Sequence, residues 1–190
     1  MKTGKKLGDK SVLRVDALQN RERILAAAEQ AFLERGAGVP LEDVARRAGV
    51  GIATLYRRFP TREALLAETS NARFLALAES SRARDGTLDP ERAIRAFLEE
   101  LVLNTSLYQS LAASLGTVLQ HGTLGCNAIT AEGKRLLARG QDIAAIRHDI
   151  TFDDLICVVT AISLSVEQDA SSQTRVAHLV DLLFGGIASR

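Results

Sequence analysis

The sequence predicts an all-α fold. Apolar residues recur every three or four positions in successive stretches that cover most of the 190 residues, and this spacing is typical of amphipathic helices. Residues that start and stop helices separate the stretches. Asp89-Pro90-Glu91, for example, combines a capping carboxylate, a proline suited to the first turn and an early acid. Because no stretch alternates as in a β-hairpin and no internal repeat is evident, we expect helices throughout.

Composition excludes several classes of protein. With 46% apolar and 25% charged residues, the chain is in the range of globular proteins, not of disordered ones. The two cysteines, Cys126 and Cys157, form neither a disulfide framework nor a metal-binding spacing, which favours a reducing compartment. The basic start lacks the apolar core of a signal peptide, and the longest apolar stretch, 155–166, is shorter than the ~20 residues of a membrane span. We therefore expect a cytoplasmic protein without a membrane partner.

The N-terminal part predicts an arm followed by three helices. Residues 1–19 are basic and lack a sustained apolar period, which indicates a flexible basic arm. From Asn20 an apolar stripe predicts a helix that ends at Arg35, just before a glycine. Two short helices are expected next, over 41–48 and from about 51 to 59.

The rest of the chain predicts further helices. Thr61 has the position of an N-cap for a long helix that ends near Arg84. Later helices are expected at about 90–103, 108–119, 127–146, 152–166 and 172–187. The last two carry more apolar surface than a chain of this size can bury, which predicts a homodimer that forms through about residues 152–187.

The most informative segment is LEDVARRAGVGIATLYRRFPTR, residues 41–62. Two short helices on either side of an Ala48-Gly49-Val50 turn are the geometry of a helix-turn-helix. The small alanines let the helices cross closely, and the glycine lets the chain reverse. The second helix would be seated on the protein by Ile52, Leu55 and Phe59.

The other face of this second helix has the chemistry of a DNA-contacting surface. It combines backbone N–H groups at the helix start with a hydroxyl, a phenol and two guanidiniums, which suit phosphates and base edges. These positions are Gly51, Ala53, Thr54, Tyr56, Arg57 and Arg58. Charge agrees with this interpretation, because residues 1–60 carry 12 Lys and Arg against 7 Asp and Glu, whereas residues 61–190 carry 12 against 16. A basic module on an acidic body is typical of nucleic-acid binding.

These residues resemble a known family. The run NRERILAAA at 20–28, followed by LEDVARRAGVGIATLYRRFPTREALL at 41–66, is similar to the N-terminal domain of tetracycline-repressor-type (TetR family) transcriptional regulators. The resemblance implies a three-helix helix-turn-helix DNA-binding domain over 20–66. It also implies a C-terminal helical domain for effector binding and dimerisation over 67–190.

The resemblance implies roles for single residues as well. Thr54, Tyr56 and Arg62 would contact phosphates. The leading turn of the recognition helix, which reads bases, would consist of Gly51, Ile52 and Ala53.

The sequence departs from the family pattern in two places. Gly51 stands where serine is frequent, and the two residues after it offer no hydrogen-bonding side chain. Pro40 replaces the usual hydroxyl cap of the preceding helix. Base recognition is therefore expected through apolar contacts or through Arg57, Glu42 and Arg46.

The resemblance further implies a repressor that a small apolar or weakly polar ligand releases from a palindromic operator in double-stranded DNA. The helix over 61–84 would transmit ligand binding to the DNA-binding domain. The cavity walls would be Phe74, Phe97, Leu101, Tyr108, Leu111 and Leu115.

Two other classes of function stay open at this point. One is an architectural DNA-binding protein without effector control, and the other is an all-α enzyme. The sequence shows no phosphate-binding loop, nucleophile elbow or Cys/His ligand set, so no catalytic residue and no cofactor is expected. His148-Asp149 with Asp153-Asp154 is better explained by a loop and by acids at a helix start than by a metal site.

Overall fold

The computed structural model describes residues 6–167 and 173–187. Within these ranges the chain forms nine α-helices and a short 3-10 helix, and none of the described residues belongs to a β-strand. The all-α prediction is confirmed. The helices are α1 (Lys6–Arg35), α2 (Leu41–Arg47), α3 (Ile52–Arg58), α4 (Arg62–Ala83), α5 (Pro90–Ser106), α6 (Leu115–Gln120), α7 (Leu124–Asp142), α8 (Phe152–Glu167) and α9 (Gln173–Ile187). The 3-10 helix spans Ala112–Ser114.

Helix α1 begins earlier than its apolar stripe indicates. The prediction placed its start at Asn20 after a flexible arm over 1–19, but the helix already begins at Lys6; residues 1–5 lie outside the described residues. Leu18 is 61% exposed, whereas Ile24, in the part of the helix that the apolar stripe predicts, is fully buried. Half of the residues over 6–19 are leucine, lysine, arginine or alanine, which favour helices, and such residues can continue a helix whose nucleus is packed farther along.

Three predicted helix starts are confirmed by their caps. Thr61 Oγ1 accepts a hydrogen bond from the Ala64 N–H at 3.1 Å, and Asp89 Oδ1 accepts from the Arg92 N–H at 2.9 Å. At α8, Thr151 Oγ1 accepts from the Asp154 N–H at 3.2 Å. The Asp154 carboxylate accepts in return from the Thr151 N–H at 2.8 Å. These side chains satisfy backbone donors that a helix start leaves without partners.

The middle of the chain differs from its prediction. Instead of one helix over 108–119, Tyr108 lies in a turn before the 3-10 helix, and α6 begins only at Leu115. Ser110 has a φ of 68°, a left-handed conformation that interrupts a helix. Tyr108 is fully buried, with its ring centroid 5.6 Å from that of Phe32 in α1. This long-range contact overrides the local helical pattern.

Two glycines bring α7 close to its neighbours. A Cβ added at Gly133 would lie 2.2 Å from the ring of Phe152, and one at Gly140 would lie 2.7 Å from the side chain of Ile146. Both glycines are buried inside a continuous helix. The helix predicted over about 127–146 is present as α7, which ends at Asp142, and its two glycines allow this close packing.

Helix α4 joins the two parts of the protein. It packs against α1 at the N-terminal side and against α5, α6 and α7 in the body. At its C-terminal end, the fully buried Glu132 of α7 accepts hydrogen bonds from Ser81 at 2.7 Å, from Arg82 at 3.1 Å and from Arg135 at 2.7 Å. Burial alone would raise the pKa of Glu132, but these hydrogen bonds outweigh it and hold the pKa below its usual value. The network fixes α4 on α7.

The last two helices leave apolar surface uncovered. Helices α8 and α9 pack against α5 and against each other. Leu164 of α8 is 38% exposed and Leu182 of α9 is 62% exposed, and Cys157 is also exposed. Of the helices that the structure describes, none is long and apolar enough to cross a membrane.

Candidate nucleic-acid interface

Helices α2 and α3 form the predicted helix-turn-helix. Val44 and Ala45 of α2 and Leu55 of α3 are buried against the core. Between the helices, Gly49 has a φ of +66°, a conformation that favours glycine. The Val50 N–H donates to the Ala45 carbonyl at 3.0 Å and closes the turn. The sharp reversal therefore depends on the glycine that the sequence provides there.

Helix α3 presents one face outward. Ala53, Arg57 and Arg58 are exposed, and Tyr56 is 44% exposed. Gly51 precedes the helix in an extended conformation, and no side chain caps the first N–H groups. Most of the residues predicted to contact DNA therefore lie together on one accessible surface, the α3 face, which we define as Gly51, Ala53, Thr54, Tyr56, Arg57 and Arg58.

Two predicted residues of α3 are less accessible. Ile52 is partly buried and packs against the core, and Thr54 is also only partly exposed. Thr54 Oγ1 accepts a hydrogen bond from Arg57 Nη2 at 3.3 Å. This contact joins the hydroxyl and one guanidinium on the same side of the helix.

Positive charge on the α3 face is not neutralised within the described residues, whereas that on α2 is. Arg46 pairs with Asp43 at 2.6 Å, and the same carboxylate accepts from Arg35 at 2.8 Å. The hydrogen bond from Arg35 lowers the pKa of Asp43, with a further contribution from Arg46. Among the described residues, Arg57 and Arg58 form no ion pair. The predicted base contact through Arg46 would require this guanidinium to leave its carboxylate.

Arg62 is turned toward the protein. Its Nη1 donates to the backbone carbonyls of Ala37 at 2.7 Å and Val39 at 2.6 Å. Both residues are more than nine-tenths buried, so the guanidinium satisfies two carbonyls that water does not readily reach. The resemblance implied a phosphate contact for Arg62; the geometry gives it a structural contact with the loop between α1 and α2.

One contact behind the helix-turn-helix was missed by sequence reasoning. The Ala37 N–H donates to the Gln109 carbonyl at 2.7 Å. Gly36, with a φ of +79°, lies so close that an added Cβ would be 2.8 Å from the same oxygen. Only backbone atoms make this contact. No side-chain pattern could have shown it, apart from the glycine itself.

The six predicted cavity residues lie in the packed interior. Phe74, Phe97, Leu101, Tyr108, Leu111 and Leu115 are all fully buried. A cavity of about 490 Å³ lies between α6, α7 and α8, and none of the six borders it. Its lining is more polar than the predicted one and consists of Gly116, Leu119, Gln120, Gly122, Asn127, Thr130, Lys134, Phe152, Asp153, Ile156 and Cys157.

The acids near His148 take part in local contacts. Asp149 accepts from Arg147 Nε at 2.9 Å, and Asp154 caps α8. Within the described part of the chain, no group of three His, Cys, Asp or Glu residues is arranged to hold a metal ion.

A helix-turn-helix with an outward basic and phenolic face, set on a larger helical body, defines a DNA-binding regulator. Comparison with protein families makes the class specific. Residues 24–69 match the model described as bacterial regulatory proteins of the tetR family. Residues 89–189 match the C-terminal domain of SbtR-like transcriptional regulators. The chain belongs to the TetR family of bacterial transcriptional regulators, which confirms the resemblance noted from the sequence.

Solved structures agree with this assignment. The TetR transcriptional regulator SCO0520 from Streptomyces coelicolor is 30% identical, with a TM-score of 0.51 over 89% of this chain and 98% of that one. NalD, the secondary repressor of a multidrug efflux pump in Pseudomonas aeruginosa, is 23% identical, with a TM-score of 0.55 over 90% and 98%. RolR in complex with resorcinol is 18% identical, with a TM-score of 0.65 over 92% and 90%. A comparison with curated protein sequences gave no match.

Proposed function

We propose that the protein is a homodimeric repressor that binds a palindromic operator through α3 and that a small molecule releases. The observation that carries the proposal is the α3 face, which presents Tyr56, Arg57 and Arg58 outward without a carboxylate partner in the described residues. Exposed guanidiniums and a phenol on one face of a helix suit the phosphates and base edges of the major groove.

The proposed DNA contacts divide into two kinds. Tyr56 and Thr54 would bind phosphates and fix the position of α3, and Arg57 and Arg58 would add salt-dependent affinity. At the leading turn, Gly51, Ile52 and Ala53 have no polar side-chain group, so they would select thymine methyl groups by apolar contact. Two α3 helices in one dimer would enter successive major grooves about 34–36 Å apart.

The proposed dimer forms through α8 and α9. Their exposed leucines, Leu164 and Leu182, lie on helices whose other sides are already packed on α5. Leu179 and Leu183 of α9 are partly buried against the core and extend this apolar surface. A second copy of the same surface would cover it with closed two-fold symmetry.

The proposed effector site is the cavity between α6, α7 and α8. Its volume of about 490 Å³ is within the ~300–1,000 Å³ of small-molecule sites. Leu119, Phe152 and Ile156 give it an apolar wall, while Asn127 and Lys134 add polar groups. RolR, which has this fold, holds resorcinol in its structure, so the fold accommodates a small ligand.

A path from this cavity to α4 is available. The N–H of Gly125, at the start of α7, donates to Asn71 Oδ1 of α4 at 2.7 Å. A Cβ added at Gly125 would lie 2.4 Å from the Asn71 carbonyl oxygen. Since α7 and α4 touch through their backbones, a ligand that shifts α7 would also shift α4 and the DNA-binding domain. The ligand acts only through unequal affinity for the two arrangements.

The test is selection of fragments of the source genome by the purified full-length protein at fixed salt, followed by footprinting. We expect a protected palindrome whose half-site centres are about 10 base pairs apart. Tyr56→Ala should weaken binding to every fragment to a similar extent. Affinity that is indifferent to sequence would instead identify an architectural DNA-binding protein and refute the proposal.

A further inference from the structure

The turn at residues 108–111 holds the DNA-binding domain through two consecutive residues. The ring of Tyr108 packs on Phe32 of α1, with the ring centroids 5.6 Å apart. The carbonyl of Gln109, the next residue, accepts a hydrogen bond at 2.7 Å from the N–H of Ala37, which lies in the loop between α1 and α2. One side of the turn is therefore fixed to α1 and to the loop that leads into α2.

The third residue of the turn is held by α8 instead. The Ser110 N–H donates to Oε1 of Glu167, the last residue of α8, at 3.0 Å. Ser110 has a φ of 68°, a left-handed conformation that residues with a side chain seldom adopt. A carboxylate that accepts from a backbone N–H forms a charge-assisted hydrogen bond, which is stronger than one between neutral groups. Glu167 therefore supports a residue whose backbone conformation is unfavourable by itself.

The turn is compact enough to move as one unit. The Leu111 N–H donates to the Tyr108 carbonyl at 2.9 Å and closes the turn, and the side chains of both residues are fully buried. The 3-10 helix that follows also packs against α8. Because this packing and Glu167 both connect the turn to α8, a displacement of α8 would move the turn, and the Gln109 carbonyl would move with it.

We propose that the 108–111 turn couples α8 to the DNA-binding domain and that Glu167 is the positioning residue of this link. The inference rests on the proposed function, since α8 borders the effector cavity through Ile156. Glu167 lies about 16 Å farther along the same helix, at a rise of ~1.5 Å per residue. This route is a second one from the cavity, because it shares no residue with the path through Gly125 and Asn71.

The route ends on both sides of α3. Ala37, whose N–H reaches the turn, also accepts a hydrogen bond through its carbonyl from Arg62 at the start of α4, at 2.7 Å. The loop that contains Ala37 leads into α2, which precedes α3. A shift of the turn would therefore reach the helix before α3 and the helix after it. Loosening the turn should weaken operator binding, because a binding surface that is less ordered loses more entropy when it binds.

Hydrogen exchange at single amides, measured by NMR, tests the link without DNA or ligand. The isotope-labelled full-length protein is compared with three variants. Glu167→Ala removes the acceptor, Glu167→Asp keeps the charge on a shorter side chain, and Glu167→Gln keeps an accepting oxygen at the same place. We expect the first two to speed exchange roughly tenfold at the Ser110 amide and about threefold or more at the Ala37 amide, because both hydrogen bonds open more often. Glu167→Gln should stay close to the original rates.

Glu99→Ala is the matched control. Glu99 is a partly buried residue of α5, as Glu167 is of α8, and it forms no hydrogen bond or ion pair with the residues that the structure describes. Its substitution should leave exchange at Ser110 and Ala37 unchanged. If Glu167→Ala does not fold, Glu167→Asp still tests the contact.

Two results of the exchange experiment would overturn the inference directly. Faster exchange at Ser110 alone would show that the Ala37 loop is held without the turn, and unchanged exchange at Ser110 would show that Glu167 does not support it. Equally fast exchange in Glu167→Gln and Glu167→Ala would overturn it as well, since the accepting oxygen would then have no role.

Operator binding separates this inference from the proposed function. The affinity of Glu167→Ala for the genomic fragment that the original protein selects should be about threefold lower or more. An unchanged affinity would overturn the coupling and leave the proposed operator binding intact. If no fragment is selected, the proposed function fails, and the exchange rates still decide whether the turn links α8 to the DNA-binding domain.

Discussion

Replacing Arg62 by methionine tests whether this residue supports the fold or contacts DNA. The substitution keeps the length of the side chain and removes its charge and its donors. It therefore breaks the two hydrogen bonds from Nη1 to the carbonyls of Ala37 and Val39, at 2.7 and 2.6 Å. The two carbonyls are left without this donor on residues that are more than nine-tenths buried.

The expected loss in the free energy of unfolding follows from these two hydrogen bonds. A hydrogen bond to a charged group contributes about 1.5–3 kcal/mol, and Arg62 is only partly buried, which reduces the total below the sum of two full contributions. We expect the free energy of unfolding to fall by about 3 kcal/mol, measured by urea denaturation followed by circular dichroism.

The same variant distinguishes the two roles through the salt dependence of DNA binding. The logarithm of the affinity falls with the logarithm of salt concentration by about 0.9 for each phosphate contact. If Arg62 contacted a phosphate in each protomer, the slope of Arg62→Met would be shallower by about 1.8 in a dimer. We expect an unchanged slope.

Arg58→Met is the matched control, because Arg58 is exposed on α3 and the change in charge is the same. It should leave stability nearly unaltered and make the slope shallower. Unchanged stability of Arg62→Met together with a shallower slope would refute the structural role and support the phosphate contact.

Other substitutions test the remaining features. Gly36→Ala should lower the free energy of unfolding by about 2 kcal/mol, because the residue has a φ of +79° and its new methyl would lie 2.8 Å from a backbone oxygen. Gly49 has a φ of +66° but no neighbour within 4 Å of an added Cβ, so Gly49→Ala should lower the free energy of unfolding only through backbone strain. If the two substitutions lower it equally, the close contact of Gly36 with the Gln109 carbonyl contributes nothing to the difference and the reasoning is wrong. Leu182→Arg should convert a dimer to a monomer in light scattering, whereas Leu124→Arg, at a leucine that is 73% exposed on α7, should not. The pKa of Glu132 is lower in the folded protein than in the unfolded chain, so its contribution to stability is full above the unfolded pKa and is lost as pH falls through the folded pKa. Glu132→Gln should therefore lower the free energy of unfolding at neutral pH and make it fall less steeply as the pH is lowered. If the free energy of unfolding of the variant falls as steeply with acid as that of the original protein, Glu132 is not the group responsible.

Local chemistry explains what the sequence could predict. The turn at Gly49, the caps at Thr61 and Asp89 and the outward face of α3 depend on residues within a few positions of one another. A pattern along the chain therefore contains the information for them. The same holds for the family resemblance, whose motif is nearly continuous from residue 41 to residue 66.

Contacts between distant residues explain what it could not predict. The turn at Tyr108 exists because its ring packs on α1, and the inward position of Arg62 depends on carbonyls that precede it by more than twenty residues. The predicted cavity residues have the spacing of a helix interior, which core and ligand pocket share. Spacing alone could not separate the two, and the cavity between α6, α7 and α8 is formed by residues of mixed polarity.

The backbone contact of Ala37 with Gln109 bears on how the protein could be engineered. Cutting the chain after residue 66 would remove the carbonyl that receives the Ala37 N–H and the ring that covers Phe32, so the excised fragment would expose an unmatched donor and an aromatic side chain. Chimeric regulators in which the N-terminal domain is replaced would have the same mismatch, unless the protein that provides this domain also provides the residues around 108–109.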